Sequence, residues 1–339
     1  MQVIGVGQHH LGAGLCQLGG GHPFHGAQCA HRHEPWRHDR TVRCVEASTT
    51  SARVAASGLN LELEHRPLCA THQFTVSGVG AWVEVMLSVP SWLRDFVGAW
   101  IFYSVLPAWP WPEPRFERIA RFAPWIGLVI GGLQAGLWWL LSGLGWPQVA
   151  LVPAVLALGL SLTGGLHFDG LMDTADGLAA GPERCLEAME DSRVGASGVQ
   201  LSVVVLLLQF AALVRLGPLA PIALVVTAAL ARVSPLWAMA RFAYLRVNGT
   251  AGFHRRHQKG LGDAVPTLIL LLVLSPLLQR LPLLTAPLCL LSALVAAEWL
   301  GRRLGGMTGD GYGAVVMLSE TSSLILIALL APSLGSPGG

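Results

Sequence analysis

From residue 122 to residue 334 the chain alternates between apolar segments and polar connections, and this alternation restricts its fold more than any other feature. The apolar segments are 122–141, 149–165, 199–216, 220–239, 264–278, 283–300 and 320–334. A helix needs about 20 apolar residues to cross the hydrocarbon core of a bilayer, and several of these segments are at the short end. Inside lipid, backbone groups must bond to one another, which leaves helices or closed barrels. Residues 53% hydrophobic and 12% charged contrast with about 25% charged in soluble domains. The expected fold is therefore all-α: a polytopic integral membrane helical bundle of about seven transmembrane segments. A further apolar stretch, 96–106, is too short to cross. Asp95 precedes it, and Pro107, Pro110, Pro112 and Pro114 follow. It reads as a short interfacial or re-entrant helix.

The connections come in two kinds. Those around Gly143–Pro147, Gly217–Pro218 and Leu281–Pro282 are tight and nearly uncharged. Those at 107–121, 166–198, 240–263 and 301–319 are long and hold most of the basic residues, among them Arg115, Arg118, Arg121, Arg184, Arg193, Arg241, Arg246, Arg255, Arg256, Lys259, Arg302 and Arg303. By the positive-inside rule the long loops are cytoplasmic. Asp169, Asp173, Asp176, Asp191, Asp310 and Glu320 lie in or beside the same loops, so a site built from them faces the cytoplasm near the membrane surface. A net charge of +2 gives no bulk attraction to nucleic acid, and the expected partner surface is the lipid bilayer. Gly127 with Gly131, and Gly132 with Gly136, have the spacing of close helix packing; an abundance of glycine gives the same pattern by chance.

Residues 1–85 differ from the rest. They hold nine of the 12 His and four of the 6 Cys, with six basic and six acidic residues in balance. Cys16, Cys29, Cys44 and Cys69 form no CxxC pair, and no HxxxH occurs. No basic region followed by an apolar core marks a signal peptide. The segment reads as a disordered extension, or as a start assigned too early with Met86 the true beginning. Residues 86–339 form the membrane-embedded domain.

Directly after the second apolar segment comes Thr163–Ala180, TGGLHFDGLMDTADGLAA. Asp169, Asp173 and Asp176 are spaced i, i+4, i+7, which puts all three on one helix face. Like charges so placed call for a cation, and a hard oxygen-ligand metal such as Mg²⁺ suits carboxylates. His167 is either a ligand, a phosphate contact or a structural histidine. In the run Glu187–Gly198, Arg193 is placed to pair with phosphate at the start of the next span, unless the turn is an ordinary helix end. Arg232 interrupts an apolar span; it needs an anionic partner or must snorkel to the interface. The run GGMTGDGYGA, 305–314, is rich in glycine around Gly306, Thr308 and Asp310, suggesting a loop whose N–H groups face an anion. Asp310 and Glu320 are candidates for a metal site or a base. Together these parts point to phosphoryl transfer, in which carboxylates hold metal and arginines neutralise phosphate.

In order and spacing, TGGLHFDGLMDTADGL, MEDSRVGASG, RVSP and LGGMTGDGYGA resemble the cobalamin-5′-phosphate synthase family. The resemblance covers roughly 91–334. It implies a Mg²⁺-dependent phosphotransferase of the bacterial inner membrane. The implied substrates are adenosylcobinamide-GDP and α-ribazole or its 5′-phosphate, with GMP as leaving group. It further implies Asp169, Asp173 and Asp176 as metal ligands. Asp173, Asp310 and Glu320 would act in catalysis, and His167, Arg193, Arg232, Gly306 and Thr308 would bind substrate. The family pattern carries an acidic residue where this chain has Met317, so the second acidic cluster is thinner here.

Two other readings compete. A CDP-alcohol phosphotransferase fits Asp173-Thr-Ala-Asp176-Gly177, but the arginine expected next and the downstream GxxxDxxxD are missing. An ion-coupled transporter fits intramembrane carboxylates, yet here they gather toward one face of the membrane.

Overall fold

The computed structural model describes residues 89–246, 256–263, 265–278 and 285–330, with Gly252 and Leu281 between them. The expectation of an extension over 1–85 lies outside these residues. The described chain is helical, and its one non-helical pairing is an isolated parallel bridge, Tyr244 to Met307. The helices are α1 (Ser91–Tyr103), α2 (Ala123–Gly143), α3 (Gln148–Leu162), α4 (Leu166–Ala180), α5 (Cys185–Glu190) and α6 (Ala196–Leu216). They continue as α7 (Ala220–Ala231), α8 (Ser234–Arg241), α9 (Val265–Leu278), α10 (Thr285–Leu304) and α11 (Gly309–Leu330).

Among the described residues every predicted apolar segment is mainly helical, but fewer than seven helices meet the demands of a membrane crossing. Three helical runs are long and apolar enough: Ile119–Gly143, Ala196–Arg241 and Gly309–Leu330. A fourth is the bent pair of α3 and α4, if the two count as one span. The shortfall has a physical basis. α9 has 14 residues and α3 has 15, while α10 carries Glu298, Arg302 and Arg303. The predicted interfacial stretch corresponds to α1, which begins earlier, at Ser91, and ends at Tyr103.

The bundle is seated on glycine. α2 packs on α7 along Gly127 and Gly131, where an added Cβ would meet the carbonyl oxygens of Ala228 and Leu224. Gly132 and Gly136 face open space, so one of the two expected glycine pairs forms the seam. α6 shows the opposite surface: Val203, Val204 and Leu207 are exposed together. An outward apolar face of this kind suits lipid contact.

The polar ends are drawn together by ion pairs. Arg115 and Arg121 both reach the fully buried Asp95 of α1. Burial pushes the Asp95 carboxyl above its usual range, against the pull of Arg121 and Arg115. Arg118 pairs with Asp263, linking 107–121 to 240–263. Arg246 pairs with Glu190 and with Asp310, linking 240–263 to 166–198 and 301–319. The four long connections thus meet at one end of the bundle.

Candidate active site

α4 begins at a sharp turn. Gly164 and Gly165 hold φ of 60° and 76°, the left-handed region that glycine enters without strain. The turn sets α4 at 89° to α3. Gly170 then lets α4 lie against α11, because a Cβ there would sit 2.6 Å from the Asp310 carbonyl oxygen. Gly313 gives the reciprocal approach, with the His167 backbone 3.2 Å from where its Cβ would be. This crossing brings Asp310 beside the aspartate face of α4.

A cavity of about 140 Å³ opens at the crossing. His167, Asp169, Asp310, Arg232, Tyr103 and Tyr312 supply its polar lining. His167 is buried, and its ring stacks on Tyr103 with centroids 6.4 Å apart. Arg232 is 2% exposed. Its Nη1 donates to the Ala228 carbonyl at 2.5 Å and lies 3.7 Å from Glu320 Oε2, while Nε has no hydrogen-bond partner. Asp173 is half-buried, near enough for the charges of Asp169, Asp310 and Arg246 to act on it. Arg246 Nη2 lies 2.9 Å from Asp310. One guanidinium set against Asp169, Asp173, Asp310 and Glu190 leaves the cluster net negative.

The remaining candidates stand elsewhere. Both oxygens of Asp176 accept backbone N–H groups at the start of α6, from Gly195 and Gly198 at 2.8 Å each. A carboxylate there offsets the positive end of the helix and satisfies donors that have no intrahelical partner. Arg193 is exposed and clasps Asp191, with Nη2 at 2.6 Å. The Arg193 side chain, helped by its backbone N–H, holds the Asp191 carboxyl at about 2. Glu320 lines a separate, smaller cavity with Gln134, Gln209 and Arg232.

The expected glycine-rich loop is largely helix. Thr308 caps α11, its Oγ1 accepting the Gly311 N–H at 3.0 Å, the usual work of an N-cap threonine. Gly306 is buried against Leu245. Neither lines the larger cavity, whereas Gly309 and Gly313 do. Among the described residues no three His, Cys, Asp or Glu side chains converge as a ready-made metal centre. Sequence reasoning missed Arg246 and Tyr103. Arg246 is one of many loop arginines with no motif around it. Tyr103 sits in an aromatic-rich helix where it looks like packing.

Fold and site define a helical membrane protein with an acidic cavity, backed by a buried arginine, at its polar end. A family model described as cobalamin-5-phosphate synthase matches residues 95–328, and the chain belongs to that family. It is 57% identical over 259 residues to an adenosylcobinamide-GDP ribazoletransferase of Prochlorococcus marinus strain MIT 9313, covering 73% of this chain and 100% of the relative. A protein of the same name from Thermosynechococcus vestitus is 43% identical over 242 residues, covering 71% and 97%. No solved structure matches.

Proposed function

We propose that this protein joins adenosylcobinamide-GDP to α-ribazole, or to α-ribazole 5′-phosphate, releasing GMP and closing the nucleotide loop of a cobamide. The observation that carries this reading is the cavity lined by Asp169, Asp310 and buried Arg232. Cation-seeking carboxylates in one cavity with a fixed guanidinium suit a diphosphate, whose oxygens need neutralising. The relatives' names, matched over nearly their whole length, supply the particular diphosphate.

In this reading a ribazole hydroxyl oxygen bonds to the phosphorus nearer the cobinamide. The bond from that phosphorus to the bridging oxygen breaks, and its electron pair leaves on GMP. Asp310, at the cavity wall, accepts the hydroxyl proton. Arg232 binds the diphosphate from the membrane side. His167, held by Tyr103, packs against the bound substrate. Arg246 holds Asp310 until substrate arrives.

Asp169 and Asp173 would hold Mg²⁺. No salt bridge or hydrogen bond among the described residues engages either side chain, and they are neighbours on one helix face. This ion commonly takes one or two carboxylates together with substrate phosphates and waters. When bound, it would neutralise charge on the diphosphate and the departing GMP.

The finer topology belongs to the same proposal. The run Ala196–Arg241 has 46 residues, or about 69 Å of helix at 1.5 Å per residue, over twice the hydrocarbon thickness. Gly217 breaks it with φ 53°, so it makes two passes. With α2, α3, α9, α10 and α11 the bundle then crosses seven times. The arginine-rich end faces the cytoplasm of a bacterial inner membrane.

Purified protein supplied with Mg²⁺, adenosylcobinamide-GDP and α-ribazole should release GMP. Chelation by EDTA should stop release, and added Mg²⁺ should restore it. A folded preparation that forms no GMP from these substrates would overturn the reading.

A further inference from the structure

We infer that Glu320 is a positioning residue that acts through Arg232, and not the base of the reaction. The inference rests on the reading of Arg232 as a diphosphate ligand. Two cavities lie back to back in the bundle. The larger holds Asp169 and Asp310; the smaller, of about 40 Å³, holds Glu320, Gln134, Gln209 and Thr163. Arg232 and His167 line both. Glu320 is absent from the lining of the larger cavity, so its carboxylate has no route to a hydroxyl bound there. What it does reach is the Arg232 guanidinium, 3.7 Å away.

The rest of the arginine is fixed as thoroughly. Its Nη1 is tied to the Ala228 carbonyl on its own helix. Gly127 of α2 gives its stem room, since a Cβ there would lie 2.9 Å from Arg232 Cδ. Three elements thus converge on one side chain: α2 by an absent Cβ, α7 by a carbonyl, and α11 by a carboxylate. Of these anchors, Glu320 lies in the smaller cavity. Nε keeps an unspent N–H, and Arg232 also lines the larger cavity, so a donor remains for an anion. A buried cation held in this manner is pre-organised, and binds phosphate without first being ordered.

The polar walls of the smaller cavity support the same role. Gln134 donates to the Val155 carbonyl at 3.1 Å, and Gln209 donates to Thr321 Oγ1 at 2.9 Å. Both amide groups are thus fixed from outside, which leaves their carbonyl oxygens as acceptors. They line the smaller cavity together with Glu320 and Arg232, and the cavity has room for ordered water between them.

A double-mutant cycle tests the coupling. Arg232→Gln, Glu320→Gln and the double variant are compared with the full-length wild type for GMP release. Each single variant should raise KM for adenosylcobinamide-GDP at least tenfold and leave KM for α-ribazole within about twofold. The double variant should be no worse than Arg232→Gln alone, and the pH profile of kcat for Glu320→Gln should keep its acid limb. Losses that multiply in the double variant, or a vanished acid limb, would sink the proposal; so would a Glu320→Gln protein with unchanged KM. If Glu320→Gln alone does not fold, comparing Arg232→Gln with the double variant still decides. The same proteins titrated with inorganic pyrophosphate read the coupling without the reaction. A wild type that binds pyrophosphate but releases no GMP counts against the proposed function and leaves the coupling measurable.

Discussion

Asp173 and Asp176 are less than one helical turn apart, yet their surroundings differ in kind. Asp173 faces the charges of Asp169 and Asp310, whereas Asp176 caps α6 through two backbone N–H groups. Neutralising them should therefore fail in different ways. Asp173→Asn should reduce GMP release at least a hundredfold and leave the thermal midpoint in detergent unchanged. Asp176→Ala should lower stability by about 0.5–2 kcal/mol, the usual range for a lost helix cap, seen as a fall in that midpoint. Equal loss of stability in both would contradict the division. The spacing i, i+4, i+7 made the shared helix face legible from residues alone. It could not reveal that Gly195 and Gly198, 19 and 22 positions away, claim the third carboxylate. Nor could it tell Arg193 from Arg246. Both are loop arginines, and only the pairing of 243–245 with Met307, just before α11, brings Arg246 to Asp310.

Among the helices, the glycine seam between α2 and α7 offers the sharpest contrast. Gly131 and Gly132 are adjacent, but only Gly131 is pressed against the partner backbone, with Leu224 O 2.7 Å from where its Cβ would be. Gly131→Ala should cost about 1–3 kcal/mol by forcing the helices apart. Gly132→Ala should stay within about 1 kcal/mol of wild type or gain slightly, since alanine is the better helix former. Thermal denaturation of the two variants in one detergent ranks them, and a reversed order would place the seam wrongly. Apolar runs and tight Gly-Pro turns were enough to locate these helices. The start of α11 was hidden, because glycines at 309, 311 and 313 read as loop. Gly313 serves close packing with α4, which becomes visible only when the two helices are seen together.

For the molecule as a whole, alternation of uncharged turns and arginine-rich loops already implied a polar end, and the ion pairs from Arg118 and Arg246 gather that end into one place. How many segments cross was less legible, since 14- and 15-residue helices are ambiguous by length. The family match begins at residue 95. Deleting residues 1–85 should accordingly leave GMP release by membranes carrying the protein within about twofold of the full chain; a tenfold drop would give that segment a part in the reaction. The right-angle turn between α3 and α4 also bears on how such a chain enters a bilayer at all. Three aspartates carried straight on through hydrocarbon would oppose insertion by about 2.5–3.5 kcal/mol each, a burden that a neighbouring 15-residue apolar helix could hardly outweigh. Two left-handed glycines turn the acidic helix aside at the point where α3 ends. The translocation machinery is thereby asked to commit only the apolar half of the pair to lipid, and the charged half can fold against α11 afterwards.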